Sequence, residues 1–208
     1  MRALIIVDIQ NDFVAGGTLE VPHGEQIIPL VNELSRGFNL VVATQDWHPP
    51  SHKSFASSHT GKTPFETIQL GGLAQVLWPD HCVQGTPGAE FHRRLDMNRI
   101  EAIFRKGVDP EIDSYSGFYD NGHKKTTGLS GYLRERKIES VYVCGLAADY
   151  CVFYTALDAL KEGFKTVVIE DATRAINNDG FEKAKAEIQK LGGGIFQGPA
   201  IMRDLKFV

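Results

Sequence analysis

The chain contains 208 residues, of which 42% are hydrophobic and 23% charged, and its formal net charge is −4 at pH 7. This composition is typical of a globular protein, and the lack of a lysine or arginine cluster argues against nucleic-acid binding. The longest apolar runs are as short as strands, and Met1-Arg2 is too brief to begin a secretory signal, so we expect no membrane association. We expect a single domain over residues 1–208.

Three cysteines occur at irregular spacing. An odd number without a regular pattern argues against a disulfide framework and indicates a reducing compartment. We therefore expect a cytoplasmic protein with free cysteines.

The first part of the chain predicts two buried strands separated by a helix. Residues 3–7 form a continuous apolar run that ends at Asp8, which is typical of a central parallel strand. Apolar residues then follow helical spacing over 25–36, and a second strand is predicted over 40–44. The polar segment that follows, roughly 49–98, has little periodicity. An insertion of this length is usually functional or partly structured.

The remaining chain continues the alternation. Strands are predicted over 100–104, 141–144 and 166–169, with helices over 126–137 and 149–162. A further helix is predicted to start at Asp179, because Glu182 follows at the spacing of a capping box, and a short last strand is predicted at 195–196.

Strands that alternate with amphipathic helices predict an α/β fold. The six predicted strands would form a doubly wound, mainly parallel six-stranded sheet with helices on both faces.

Three residues that follow predicted strands suggest nucleophilic catalysis. In a parallel sheet the site lies at the carboxyl ends of the strands, which bear Asp8, Lys106 and Cys151. The start of a helix would lower the pKa of Cys151, Asp8 could act as its base, and Lys106 could stabilise the thiolate. Each residue also has a structural interpretation: a turn cap for Asp8, a solvated strand end for Lys106 and a core filler for Cys151.

Asp46 and His48 form a D-x-H pair that could bind a metal ion. On an extended backbone the two side chains project on the same side, and His81 is the best candidate for a third ligand. One carboxylate with two imidazoles fits Zn, Fe or Mn. The pattern is weak by itself, and a surface loop is the alternative. For Cys82, beside His81, a packing role is favoured.

Longer motifs then give a specific resemblance. They occur in one order over nearly the whole chain: Val7-Asp8-Ile9-Gln10-Asn11-Asp12-Phe13, Thr44-Gln45-Asp46-Trp47-His48-Pro49, His52-Lys53-Ser54-Phe55, Trp78-Pro79-Asp80-His81-Cys82-Val83-Gln84-Gly85-Thr86, Lys106-Gly107, Tyr115-Ser116-Gly117-Phe118 and Gly145-Leu146-Ala147-Ala148-Asp149-Tyr150-Cys151-Val152. With them the chain resembles the nicotinamidases, also called pyrazinamidases, of the isochorismatase-like cysteine hydrolase superfamily.

The resemblance implies a role for each matching residue. The implied catalytic triad is Asp8, Lys106 and Cys151, and the implied metal ligands are Asp46, His48 and His81. The implied substrate-binding residues are Phe13, Trp78, Tyr115, Leu146 and Ala147. The resemblance further implies an oxyanion hole formed by the N–H groups of Ala147 and Cys151, and a cis peptide between Leu146 and Ala147. The remaining metal ligands are left open among His52, Ser54, His59, Glu66 and water.

The implied reaction converts nicotinamide and water to nicotinate and ammonia through a thioester, as a step of NAD salvage, with pyrazinamide as a further substrate. Two alternatives remain open. The first is an amidase of the same superfamily that acts on another small amide or a carbamoyl group, and the second is a non-catalytic metal-binding module. The sequence also leaves the identity of the metal and a homo-oligomeric state open.

Overall fold

Six parallel strands form the main sheet, and two further strands form a separate antiparallel hairpin. The computed structural model describes residues 1–205. In chain order the strands are β1 Arg2–Val7, β2 Leu40–Asp46, β3 Thr67–Leu70, β4 Leu73–Val76, β5 Ala102–Lys106, β6 Ser140–Leu146, β7 Lys165–Arg174 and β8 Gly194–Phe196. The main sheet has the order β5-β2-β1-β6-β7-β8, and β3 pairs with β4.

Helices cover both faces of the main sheet. In chain order they are α1 Ile28–Ser35, α2 Leu129–Glu135, α3 Phe153–Lys161, α4 Asn178–Lys190 and α5 Gly198–Leu205. Apolar residues of α1 and α5 pack on one face, and those of α2, α3 and α4 pack on the other. Among residues 1–205, no helix is both long enough and apolar enough to cross a membrane.

The burial of β1 explains why its sequence forms a central strand. Leu4 and Ile6 pack into the apolar cluster on one face, while Ala3, Ile5 and Val7 pack into the cluster on the opposite face. Successive side chains of a strand alternate between faces, so a strand covered on both sides is apolar throughout. The predicted α/β fold, with its doubly wound six-stranded sheet, is confirmed.

The insertion at 49–98 contains the hairpin of β3 and β4, which the sequence analysis did not locate. Each of these strands has four residues, and Gly71-Gly72 join them. Four residues are too few to establish a period of two. Backbone hydrogen bonds join the insertion to the rest of the chain, from the Lys53 N–H to the Pro110 carbonyl oxygen and from the His92 N–H to the Ile9 carbonyl oxygen.

Two other elements also differ from the prediction. β7 continues to Arg174 instead of ending at Ile169, because the polar residues after Ile169 still pair with β6 beyond a bulge. Helix α5 was not predicted, because Gly198 and Pro199 resemble a helix break. Proline is nevertheless tolerated in the first turn of a helix, where its missing N–H has no partner to lose.

The start of α4 differs from the predicted cap at Asp179. The helix begins at Asn178, and the Asn177 side chain is the N-cap, which accepts a hydrogen bond of 3.1 Å from the Gly180 N–H. This bond satisfies one of the free amides of the first turn.

Replacing Asn177 with alanine should therefore lower the free energy of unfolding by about 1 kcal/mol, the usual cost of a lost N-cap. Asp179→Ala is the matched control, and it should cost only about 0.3–1 kcal/mol through the helix dipole. Urea unfolding followed by circular dichroism measures both values. A larger loss for Asp179→Ala than for Asn177→Ala would show that Asp179 is the cap.

Candidate active site

Four polar side chains meet at the carboxyl edge of the main sheet. Asp8 follows β1, Asp46 ends β2 and Lys106 ends β5. Cys151 follows β6, which lies on the other side of β1. Neighbouring parallel strands end at the same edge, and the register places Asp46 directly opposite Lys106. The topology therefore brings together residues that are far apart in sequence.

Lys106 carries a buried positive charge at the centre of this group. Its Nζ atom lies 2.6 Å from Asp46 Oδ1 and 2.8 Å from Asp8 Oδ2. The same atom lies 3.1 Å from the Ser114 carbonyl oxygen and 3.4 Å from Cys151 Sγ. Burial alone would lower the pKa of Lys106, but Asp46 and Asp8 outweigh burial and hold the pKa well above its usual value. The side chain therefore remains a charged ammonium.

Asp8 is held by contacts with both of its carboxylate oxygens. Thr44 Oγ1 donates a hydrogen bond of 2.6 Å to Asp8 Oδ1. Asp8 Oδ2 forms the ion pair with Lys106, but among the described residues it has no aligned hydrogen-bond donor. Burial raises the pKa of Asp8, although Lys106 opposes this effect. Asp8 is therefore suited to accept a proton and to return it.

Cys151 lies in a single π-helical turn, Ala148–Val152, between β6 and α3. The helix predicted over 149–162 therefore does not begin as an α-helix. The Cys151 Sγ atom lies within 4.8 Å of a carboxylate oxygen of Asp8 and of a carboxylate oxygen of Asp46, and these two oxygens also lie within 4.8 Å of each other. Single π-turns are rare in proteins, and many of those known lie at functional sites.

The expectation that the helix start lowers the pKa of Cys151 is wrong. Burial raises the pKa of the thiol well above its usual value, and Lys106 opposes this effect without balancing it. The negative charges of Asp8 and Asp46 raise the pKa further. Cys151 is therefore a protonated thiol at rest, and it needs a base to become a nucleophile.

Asp46, His48 and His81 form a buried cluster of metal-binding groups. Asp46 Oδ2 lies 3.4 Å from His48 Nε2 and 3.6 Å from His81 Nε2. His48 Nδ1 lies 3.0 Å from the Gly107 carbonyl oxygen, and His81 Nδ1 lies 2.8 Å from that of Pro79. A carbonyl can only accept, so each Nδ1 carries a proton, and each Nε2 atom faces Asp46. This donor set fits one divalent metal ion.

The four additional ligand candidates fall into two groups. The rings of His52 and His48 are neighbours, with centroids 4.4 Å apart, and His52 Nδ1 lies 2.7 Å from Ser54 Oγ. Burial and the nearby His48 lower the pKa of His52 to about 4, so its ring is neutral. His59 instead contacts a backbone carbonyl, and Glu66 is exposed to water and pairs with a lysine. His52 and Ser54 thus lie beside the cluster, whereas His59 and Glu66 are engaged elsewhere.

A cavity of about 300 Å³ opens onto the thiol and the metal-binding cluster. Cys151, Asp46 and His81 all reach the cavity. The remaining lining residues are mostly apolar or aromatic, namely Phe13, Leu19, Trp78, Asp113, Tyr115, Ala147, Tyr150 and Ile176. The cavity is therefore suited to a small flat ligand that carries a few polar atoms.

At the end of β6 the structure places one predicted residue away from the cavity, and the expected cis peptide is wrong. Leu146 does not line the cavity, because its side chain is fully buried in the core and packs against Gly24. The peptide between Leu146 and Ala147 is trans. Ala147 itself does line the cavity, so its N–H group remains a candidate for the oxyanion hole together with that of Cys151.

Some residues around the site were missed from the sequence. Gln10 holds the backbone of Asp46 through two hydrogen bonds of 2.8 Å: the Asp46 N–H donates to Gln10 Oε1, and Gln10 Nε2 donates to the Asp46 carbonyl oxygen. A sequence signal existed for Gln10 and for Thr44, since Thr44 is a polar residue within the buried strand β2 and Gln10 follows the buried strand β1. No local signal marked Tyr150 or Ile176, because only the folded chain places them at the cavity.

Comparison with known proteins gives a consistent family. The isochorismatase domain matches residues 2–197. The nicotinamidase of Acinetobacter baylyi is 53% identical over 86% of this chain and 83% of its own length. The nicotinamidase of Escherichia coli is 48% identical over 93% of this chain and 92% of its own length.

Solved structures agree with this result. A nicotinamidase/pyrazinamidase from Acinetobacter baumanii has a TM-score of 0.94 at 51% identity, over 96% of this chain and 97% of the other. The structure of PnC1 from L. infantum in complex with nicotinate has a TM-score of 0.85 at 41% identity, over 96% of this chain and 94% of the other. The pyrazinamidase of Pyrococcus horikoshii in complex with zinc has a TM-score of 0.77 at 42% identity, over 94% and 98%. The chain therefore belongs to the isochorismatase family and, within it, to the nicotinamidases.

Proposed function

We propose that the protein is a cysteine amidohydrolase that converts nicotinamide and water to nicotinate and ammonia, and that also accepts pyrazinamide. The observation that carries this proposal is the position of the buried Cys151 thiol, which lies at a small aromatic cavity between a carboxylate base and a metal-binding cluster. Relatives of high identity are nicotinamidases, and one related structure holds nicotinate. A role in NAD salvage in a reducing cytoplasm is part of the proposal.

In the first half of the reaction, Cys151 Sγ attacks the carboxamide carbon while Asp8 accepts the thiol proton. The new S–C bond forms as the carbonyl π electrons move to oxygen. In this proposal the backbone N–H groups of Ala147 and Cys151 would receive the oxyanion. The tetrahedral intermediate then collapses, and the C–N bond breaks as Asp8 returns the proton to the departing ammonia.

In the second half, water attacks the thioester carbon. Asp8 accepts a proton from this water and returns it to Cys151 Sγ as the C–S bond breaks, which releases nicotinate and restores the thiol. Lys106 remains protonated throughout, because its two carboxylate partners hold its pKa high. Lys106 thereby keeps Asp8 in place and offsets negative charge near the sulfur.

Asp46, His48 and His81 would hold the divalent metal, for which we propose Zn or Fe, with Mn as a further candidate. When bound, this metal would supply a Lewis acid beside the cavity, which could face the ring nitrogen of the substrate. Phe13, Trp78 and Tyr115 enclose the ring, as the lining of the cavity allows. The aromatic walls and the metal-binding groups together favour a pyridine carboxamide over an aliphatic amide.

Replacing Cys151 with alanine should abolish the reaction, because the thioester can no longer form. We expect nicotinate release to fall by at least about 10³-fold. Cys144→Ala is the matched control, since Cys144 is buried in the apolar core away from the cavity, and this variant should retain activity. Chromatographic measurement of nicotinate tests both variants, and retained activity in Cys151→Ala would refute the mechanism.

The same preparation separates the proposed substrate from the alternatives. Ammonia release is measured with nicotinamide, pyrazinamide, an aliphatic carboxamide and a carbamoyl compound. Turnover of the carbamoyl compound with none of nicotinamide would assign the protein to another amidase class. No turnover of any amide by metal-loaded protein would favour a non-catalytic metal-binding module.

Alkylation tests the protonation state of Cys151. Because burial raises the pKa of the thiol, only a small fraction is thiolate at pH 7, and this fraction grows as the pH rises toward the pKa. The rate of Cys151 modification by iodoacetamide should rise about tenfold per pH unit between pH 7 and 9 and stay below that of free glutathione. Mass spectrometry of the Cys151 peptide gives the rate. A rapid, pH-independent reaction would show that the resting group is a thiolate.

Removal of one proposed ligand tests the metal site. His81→Ala should lower the metal content from about one ion per chain to a small fraction of that, because three-ligand sites lose most of their affinity with one imidazole. His59→Ala is the control, since His59 contacts a backbone carbonyl instead of Asp46. Plasma mass spectrometry of protein purified without chelators identifies and counts the metal. Equal metal content in both variants would contradict the assignment.

A further inference from the structure

Gln75 is a buried polar residue on the hairpin of β3 and β4. Its side chain is 3% exposed, whereas Ala74 beside it and Gln69 on the paired strand are exposed. A buried amide destabilises a protein unless its hydrogen-bonding groups are satisfied. The contacts of Gln75 therefore indicate why the hairpin turns this residue inward.

The Gln75 amide nitrogen faces three acceptors. Nε2 lies 2.8 Å from the Val76 carbonyl oxygen, 3.0 Å from Asp113 Oδ2 and 3.0 Å from the Tyr115 hydroxyl. Three acceptors around one atom require that this atom be the NH₂ group of the amide. If the amide were flipped, its oxygen would face the carboxylate of Asp113, which cannot donate a hydrogen bond. Gln75 thus links the hairpin to Asp113 and Tyr115 by side-chain hydrogen bonds.

Both of these partners line the cavity, whereas Gln75 does not. The Tyr115 hydroxyl also accepts a hydrogen bond of 3.3 Å from Trp78 Nε1, and the two rings meet edge to face with centroids 6.2 Å apart. Donors from Gln75 and Trp78 therefore converge on a single phenolic oxygen. Their convergence fixes the orientation of Tyr115 relative to Trp78.

We propose that Gln75 is a positioning residue for substrate binding. It acts from behind the cavity wall, where it holds Tyr115 against Trp78 and fixes Asp113, so that the two rings present one fixed wall to the aromatic ring of the substrate. This inference rests on the proposed function, since it assigns to the hairpin the affinity for the aromatic part of the amide substrate. The attacking thiol and its base follow strands of the main sheet, and Gln75 contacts neither of them.

Gln75→Met removes the amide while nearly preserving the length of the side chain. With nicotinamide and metal-loaded protein, KM should rise about tenfold, the effect of losing a buried hydrogen bond, and kcat should change less than about twofold. Calorimetric titration with nicotinate should show the same loss of affinity without turnover. Gln69→Met, on the exposed position of the same hairpin, is the matched control and should leave all three values unchanged.

A double-mutant cycle tests the route through Tyr115. In a Tyr115→Phe background the hydroxyl acceptor is absent, so Gln75→Met should raise KM by less than about twofold. Independent, multiplying effects of the two substitutions would overturn the inference, as would an unchanged KM or a loss confined to kcat.

If Gln75→Met does not fold, Gln75→Asn provides the same readouts, because its amide is one methylene too short to reach both partners. Wild-type protein that leaves nicotinamide intact would contradict the proposed function. An active wild type whose KM is unaffected by either substitution would contradict only the role of Gln75.

Discussion

The buried ammonium group of Lys106 is the interaction on which the rest of the site depends. An isolated charge of this kind would cost several kcal/mol to bury, and the cost is offset only by well-placed opposite charges. Asp8 and Asp46 provide them at 2.8 and 2.6 Å. The three residues lie at the ends of three adjacent strands. The ion pairs can therefore form only when these strands are paired, and pairing the strands buries the three charges together.

Asp46 connects this charge balance to the metal-binding cluster. One of its carboxylate oxygens faces Lys106, and the other faces His48 and His81. Two carboxylates against one ammonium leave an excess of negative charge, which favours a cation near the histidines and opposes a thiolate at Cys151. The same arrangement thus accounts for a metal-binding site and for a nucleophile that is formed only when Asp8 takes its proton.

The site draws on two parts of the chain. The strand ends supply the reactive groups, and the insertion at 49–98 supplies Trp78, His81 and the hairpin that carries Gln75. A rigid sheet suits groups that must stay within hydrogen-bond distance of each other. The hairpin contacts the cavity wall through the Gln75 hydrogen bonds to Asp113 and Tyr115.

The sequence by itself determined the fold class and the edge of the sheet where the polar groups gather, because apolar periodicity reports burial and parallel strands all end at one edge. Periodicity could not reveal the four-residue strands of the hairpin, the inward turn of Leu146 or the helix that begins at Gly198-Pro199. Only the tertiary structure decided that Cys151 is a protonated thiol and that Gln75 supports Tyr115. The burial of Cys151 and the two hydrogen bonds donated to Tyr115 both depend on residues that are distant in sequence. A local sequence pattern therefore cannot predict them.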